Sequence, residues 1–375
     1  MEQMLILSSY VVDSAKANVG FNYKFLKLAA DSCENITFIT SNYPEDLLEA
    51  LCGVTVENLP LQWSGISQKK DLPQFVKMQF KAIGAIRRHY KKGAPVVFWL
   101  SGPMLFPFLY CKLTRKKTVV FLYGNTKYKD EKPSLYNFLI GGIMRFMAKH
   151  ASQIGVEAPS VLKQWNLPKR SINKVFVLHL YVDREQFKNV VPVENREKVV
   201  GMSCRLQHNK HPLEAIEAFH RLRETFPEWK MEIAGNGPDY EICCQKIKAL
   251  GEEESIRMLG WVDNREIGAC YNRWKLLLFP SNYEGLPNSV IESMCCGTPV
   301  LASPVGGIPD VIQDGQTGWF LKEPSTEGIE RQLRTILEEN RLKEVSAAAQ
   351  AYALRAFSYE EVLEDFRKAF IKPGE

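Results

Sequence analysis

The chain has 375 residues, 45% of them hydrophobic and 24% charged, with a formal net charge of +5 at pH 7. These figures exclude a disordered or fibrous protein and exceed what one hydrophobic core usually holds, so two domains are expected. The charge is uneven: residues 1–180 hold 24 Lys/Arg against 12 Asp/Glu, net +12, and residues 181–375 hold 24 against 31, net −7.

In the first half, strand-like runs at 4–7, 36–40, 96–100, 119–123, 153–156 and 175–178 alternate with helical periodicity at 21–30, 72–90, 135–149 and 160–165. Such alternation argues for βαβ units around a parallel sheet. Near Tyr181-Val-Asp-Arg184 the pattern restarts. Strands are then expected at 199–203, 230–234, 256–259, 276–279 and 299–302. Helices are expected at 212–225, 239–250, 265–272, 288–296, 309–312 and 326–340, and a last one at 359–370. The simplest architecture is α/β, two doubly wound Rossmann-like domains facing a cleft.

The opening Met1-Glu-Gln-Met-Leu-Ile-Leu enters a strand with no basic stretch or cleavage site, so no signal peptide is expected. The longest apolar run, 96–110, is broken by Gly102, Pro103 and Pro107, so no membrane-spanning helix is expected. Nine cysteines without a C-x-x-C suit a reducing cytosol better than a disulfide framework.

Ligands of such sheets bind beyond the carboxyl ends of the strands, and four loops of the second half carry the chemistry. The first, Ser203-Cys-Arg-Leu-Gln-His-Asn-Lys210, offers the cations Arg205 and Lys210 to a diphosphate; two solvated surface cations are the alternative. The second, Gly235-Asn-Gly-Pro238, is a glycine turn that lets backbone approach a ligand, although many such turns are only turns. The third, Gly260-Trp-Val-Asp263, can flank a base, with Trp261 favoured as a buried structural aromatic. The fourth holds Glu284 and Glu292, eight positions apart. Pro287 suits the first helical position, and N–H groups from Asn288 onward face the loop, where they favour a phosphate. A polyhydroxylated ligand carrying phosphate fits both parts. His208 and His211 flank Lys210, but no histidine pair has metal-ligand spacing with carboxylate support, so no metal is expected.

These motifs, in this order, resemble the donor-binding half of the retaining nucleotide-sugar glycosyltransferases of family 4, which have the GT-B fold. The matching pieces are Arg205-Leu-x-x-x-Lys210, Gly235-x-Gly-Pro238, Leu259-Gly-Trp-Val262, Glu284-Gly-Leu-Pro-Asn288, Glu292, Gly297-Thr-Pro-Val300, Pro304-Val-Gly-Gly307, Asp314-Gly-x-x-Gly318 and Phe357-Ser-Tyr359. The resemblance implies that Arg205 and Lys210 grip the diphosphate and that Glu284 binds sugar hydroxyls. Gly285, Leu286, Pro287 and Asn288 would give backbone contacts, Glu292 the ribose contact and Val262 the base contact, with Gly235 and Gly237 lining the donor. It implies no metal or other cofactor. It also implies an acceptor domain at 1–182, a donor domain at 183–355, and a terminal helix at 356–375 packing back on the first.

The first half matches only in architecture. One glycine, Gly20, stands where many relatives have a pair, and Leu122-Tyr-Gly-Asn-Thr126 stands where many have a histidine. Asn18, Tyr123 and Asn125 are therefore candidate sugar or acceptor contacts. Along 72–92, Leu72, Phe75, Val76, Ile83, Ile86 and Tyr90 share one side. Lys77, Lys81, Arg88 and Lys92 fall on an opposing arc with Phe80 at its edge, an arc suited to an anionic membrane or acceptor. Nucleic acid is not expected, because the signatures of its binding modules are missing.

The expected function is transfer of a sugar, with retention, from a nucleotide diphosphate to a glycan or lipid-linked acceptor in cell-surface polysaccharide or glycoconjugate synthesis. It would take place in the cytoplasm at the inner face of the membrane. UDP is favoured over GDP because Asp263 is the one acidic residue of the base loop. A sugar-nucleotide epimerase or phosphorylase on the same fold, and a non-catalytic nucleotide-sugar-binding subunit, are the rivals.

Overall fold

In a computed structural model of the chain, all residues are described except 12–17, 42, 44–50, 60–71, 125–134 and 371–375. Contacts divide the chain into two units, Met1–Leu180 with Val362–Glu375, and Tyr181–Glu361. Among the described residues no helix is long and apolar enough to cross a membrane.

The first unit contains β1 (Gln3–Val11), β2 (Asn35–Ser41), β3 (Val54–Asn58), β4 (Val96–Phe98), β5 (Thr118–Leu122), β6 (Gln153–Val156) and β7 (Val175–Val177). They form one parallel sheet in the order β3-β2-β1-β4-β5-β6-β7. Its central strands are continuous apolar runs because helices cover both faces. Trp99, just past β4, is fully buried, stacked on Phe25 at 4.0 Å and edge-on to Phe121 at 4.9 Å. Its indole N–H donates to Asn22 Oδ1 (3.1 Å). The helix Tyr359–Phe370 adds Phe366 against Phe25, and its Ala369 carbonyl accepts from the Gln153 amide (3.0 Å).

The second unit contains β8 (Val199–Ser203), β9 (Lys230–Ala234), β10 (Ile256–Gly260), β11 (Leu276–Phe279), β12 (Val300–Ala302) and β13 (Trp319–Phe320). The order is β10-β9-β8-β11-β12-β13, all parallel. Gly201 is required on β8 because a Cβ there would lie 1.9 Å from the Trp274 indole. That indole is fully buried and donates to Glu232 on β9 (2.7 Å). Both sheets reverse strand order next to their first strand, which opens a crevice between β8 and β11 at the carboxyl edge of the second.

His179, at the end of the first unit, gives that unit an acid-sensitive point. Burial holds its imidazole down at about 4, against the opposing pull of the Asp365 carboxylate and a backbone hydrogen bond. An unfolded chain has the ordinary value near 6.5, so between pH 6.5 and about 4 only the unfolded state takes up this proton. Stability from this group is therefore complete above pH 6.5 and is lost as pH falls through the window. Urea midpoints measured from pH 7 to pH 4 should drop less steeply in His179→Gln than in wild type. Parallel curves would show that this histidine does not set the acid sensitivity.

Candidate active site

The crevice is edged by the loops that follow β8 and β11, because those strands are neighbours in the sheet although 72 residues (204–275) lie between them in sequence. After β8 the chain passes exposed Arg205 and a 3₁₀ turn, His208–Lys210, before the helix Pro212–Leu222. After β11 it passes Pro280 to Pro287 before the helix Asn288–Cys295. The Asn282 N–H donates to the Asn209 carbonyl (2.9 Å), fastening one loop to the other.

Lys210 and Glu284, with side chains 12% and 13% exposed, form a direct ion pair across this seam. The ammonium also lies 5.4 Å from the centroid of the Phe279 ring. Arg205 makes no ion pair among the described residues and stands at the mouth of the same loop. A cation and a carboxylate are thus paired across the seam, the carboxylate four residues before an eight-residue helix, with Arg205 exposed on the loop that carries Lys210. The first N–H groups of a helix have no partner within it and carry positive partial charge.

The glutamate loop is braced by Pro304-Val-Gly-Gly307. The Gly307 N–H donates to the Gly285 carbonyl (2.6 Å), and Gly306 has φ +60 with the carbonyls of Glu284 and Gly285 2.4 Å from where its Cβ would be. This support role was not read from the sequence; the glycine pair was its only signal. Leu286 is buried, while Gly285, Pro287 and Asn288 are half-buried. Pro287 is not the first helical residue: its extended backbone (φ −74, ψ 123) makes it the cap, and the helix proper starts at Asn288. Glu292, one turn in, is 6% exposed beside Tyr271, whose phenol is held far above its usual range by burial and then by that carboxylate.

Gly235 and Gly237 sit after β9, where packing alone explains them. Cβ atoms there would fall 1.9 Å from the Cys204 carbonyl and 2.1 Å from that of Leu206. They let the loop after β9 run against the loop carrying Arg205, and the Leu206 N–H donates to the Asn236 carbonyl (3.0 Å). Burial pushes the Cys204 thiol up to about 12, so it is neutral and no nucleophile. Val262 is half-buried in the loop after β10. Its neighbour Trp261 is 61% exposed rather than buried, because β10 ends at Gly260 in a left-handed turn (φ +67) and the indole leaves the core. Asp263 Oδ1 accepts from the Arg265 backbone N–H (2.9 Å) and from its Nε (3.2 Å).

The remaining candidates lie in the first unit. Asn18 and Gly20 open the helix Asn18–Ala30; Gly20 is exposed, with nothing within 4 Å of a Cβ position. The Tyr123 hydroxyl accepts the Leu100 N–H (3.3 Å) and its carbonyl accepts the Trp165 indole N–H (2.7 Å), so it is tied into the scaffold. Asn125 lies outside the described residues. Lys77 and Lys92 are exposed and Lys81 is half-buried, while Arg88 is paired with Glu57 on β3.

Comparison with known proteins adds independent information. Residues 183–353 match the family model of glycosyl transferases group 1. The chain is 23% identical over 360 residues, 92% of its length and 91% of the relative's, to N-acetyl-alpha-D-glucosaminyl L-malate synthase of Bacillus anthracis. A shorter stretch of 152 residues, 40% of this chain and 35% of the other, is 30% identical to glycogen synthase of Mycobacterium tuberculosis. Among solved structures, Anabaena HepE in complex with UDP aligns with a TM-score of 0.75 at 16% identity, covering 98% of this chain and 99% of that one. Sucrose-phosphate synthase from Thermosynechococcus elongatus aligns equally well, at 0.75 and 16%, covering 98% of both. The second unit therefore carries a group 1 glycosyltransferase domain, and the two parallel sheets give the chain the GT-B fold of those structures.

Proposed function

We propose that this glycosyltransferase moves a sugar from a UDP-sugar to a hydroxyl of a glycan or lipid-linked acceptor, with retention, without a metal, at an anionic membrane surface facing the cytoplasm. The observation that carries the reading is the Lys210–Glu284 pair at the β8/β11 crevice, next to the start of the helix Asn288–Cys295. A diphosphate placed there meets Lys210, Arg205 and the helix N–H groups together. Glu284 then faces the sugar hydroxyls, Glu292 the ribose, and the Val262 backbone the base. In the reaction, the bond from the anomeric carbon to the phosphate oxygen breaks. That oxygen takes the acceptor's proton on the same face while the acceptor oxygen bonds the carbon. Negative charge accumulates on the departing diphosphate, where fixed cations stabilise it most.

Uracil is favoured over guanine because the Asp263 carboxylate is already engaged by Arg265. The complexes of HepE with UDP and with UDP-glucose support the same choice. A lipid-linked acceptor in polysaccharide or glycoconjugate synthesis suits the basic first half. Thermal shifts with UDP, GDP and ADP test the base: at 100 times its Kd a ligand adds about 2.7 kcal/mol. UDP should stabilise most. An equal shift with GDP would overturn the base assignment, and no shift with any nucleotide would overturn the site.

A further inference from the structure

Three helices, Leu72–His89, Leu105–Leu113 and Leu135–His150, pack side by side on one face of the first sheet. Together they contain seven Lys and Arg and not one Asp or Glu. Their outer surfaces are also unusually apolar. Phe80 (58%), Leu113 (84%), Phe138 (63%) and Leu139 (54%) are largely exposed, joined by Phe106 and Phe146. The Phe80 and Phe106 rings stack across two helices at 5.3 Å, fixed by the Gln79 side chain accepting the Phe106 N–H (2.9 Å). Phe146 meets the buried Phe108 of the middle helix edge-on at 6.4 Å, and each of the three helices exposes large apolar side chains. Large apolar side chains exposed together on one face mark an interaction or membrane surface more often than a purely solvated one.

Cations also cluster at the end of the third helix. His150 is held below the ordinary imidazole range by burial and by Lys149, Lys112, Arg170 and Lys174. Yet Arg88 is neutralised by Glu57, so the cations alone are fewer than the sequence counts.

We infer that this three-helix face inserts its aromatic side chains into the headgroup boundary of an anionic bilayer, with Lys77, Lys112 and Lys149 on the lipid phosphates. The inference rests on the membrane part of the function proposed above and deepens it. Charge alone gives binding that salt removes; apolar insertion gives a component that salt does not. A bilayer fits better than a protein partner because cations accompany the apolar residues on every helix, with no acidic residue to register against one partner.

Flotation of the full chain with phosphatidylcholine vesicles, with and without phosphatidylglycerol, at low and high salt, tests this. Wild type should need the anionic lipid for capture and then keep a bound fraction through a high-salt wash. Phe80→Ser/Phe106→Ser and Phe138→Ser/Leu139→Ser should each reduce that fraction at least tenfold, with low-salt capture and melting temperature unchanged. Complete release of wild type by salt, or aromatic variants that resist the wash as wild type does, would overturn insertion and leave electrostatic binding standing. Failure of wild type to bind anionic vesicles at all would overturn both. Capture of wild type equally by neutral vesicles would overturn the role of the cations.

Discussion

Lys210→Ala is expected to lower turnover by about 10²- to 10³-fold, as expected for removal of one preorganised charge partner of a transition state. It should also weaken UDP binding. Glu284→Gln should lower turnover by a similar factor but leave UDP affinity equal or higher. The asymmetry follows from the ion pair that the two residues form, both mostly shielded from water. Without Lys210, the Glu284 carboxylate remains beside the phosphate site as a like charge. Without the Glu284 charge, the ammonium has no competing anion and turns wholly to the phosphate. The double variant Lys210→Ala/Glu284→Gln should recover part of the UDP binding lost in Lys210→Ala, a coupling that a mutant cycle measures. Calorimetric titration of UDP with steady-state kinetics separates the two effects. If both single variants weakened UDP equally and the double variant lost no more than either, the pair would be a structural strut and not a donor clasp.

Much of the fold was legible because its strands are short apolar runs bounded by turn residues. β6, β8, β9 and β11 and the helix Tyr359–Phe370 have the bounds expected from the sequence alone. Elements were missed where the pattern weakens. β3 is an edge strand, half-buried and interrupted by polar residues. The helix Leu105–Leu113 was hidden by Pro107, which is harmless in a first turn where its N–H has no helical partner. The helix Leu342–Ala356 buries Val345, Ala349 and Ala353 at a spacing of four, but alanine gives little contrast on a hydrophobicity scale. In the site, Arg205, Lys210 and Glu284 were legible by residue type and by their loops. The salt bridge was not, because it depends on β8 and β11 being neighbours in the sheet, which no local spacing encodes. For the same reason the glycines at 235 and 237 were legible as a turn, while the carbonyls they make room for were not.

The same limit hid the residue with the largest expected effect on stability. Arg196 drew no notice in sequence, yet its guanidinium is buried and donates to six acceptors: the carbonyls of Val191 (2.7 Å), Tyr271 (3.0 Å), Trp274 (2.9 Å) and Cys296 (2.6 Å), Thr298 Oγ1 (2.7 Å) and Asn189 Oδ1 (3.1 Å). None is a carboxylate. Burial lowers its pKa to about 10, which still leaves it charged at neutral pH. Tyr271 and Cys296 lie at or just past the ends of the helices Ile267–Arg273 and Asn288–Cys295, where carbonyls without helical partners concentrate negative partial charge. The cation thus fastens the far end of the helix that bears Asn288 and Glu292. Arg196→Ala should cost about 3–5 kcal/mol, the range for leaving buried polar partners unanswered. Arg196→Lys should recover only part, since three donors on one nitrogen cannot span acceptors set around a planar fork. Arg196→Met is the sharper test. A buried ion can often be replaced by an apolar side chain when its partner is replaced too. Here four of the six partners are main-chain carbonyls that no substitution removes, so methionine should be nearly as costly as alanine. Urea unfolding followed by circular dichroism reads the difference, and a methionine variant within about 1 kcal/mol of wild type would show that those carbonyls find other donors.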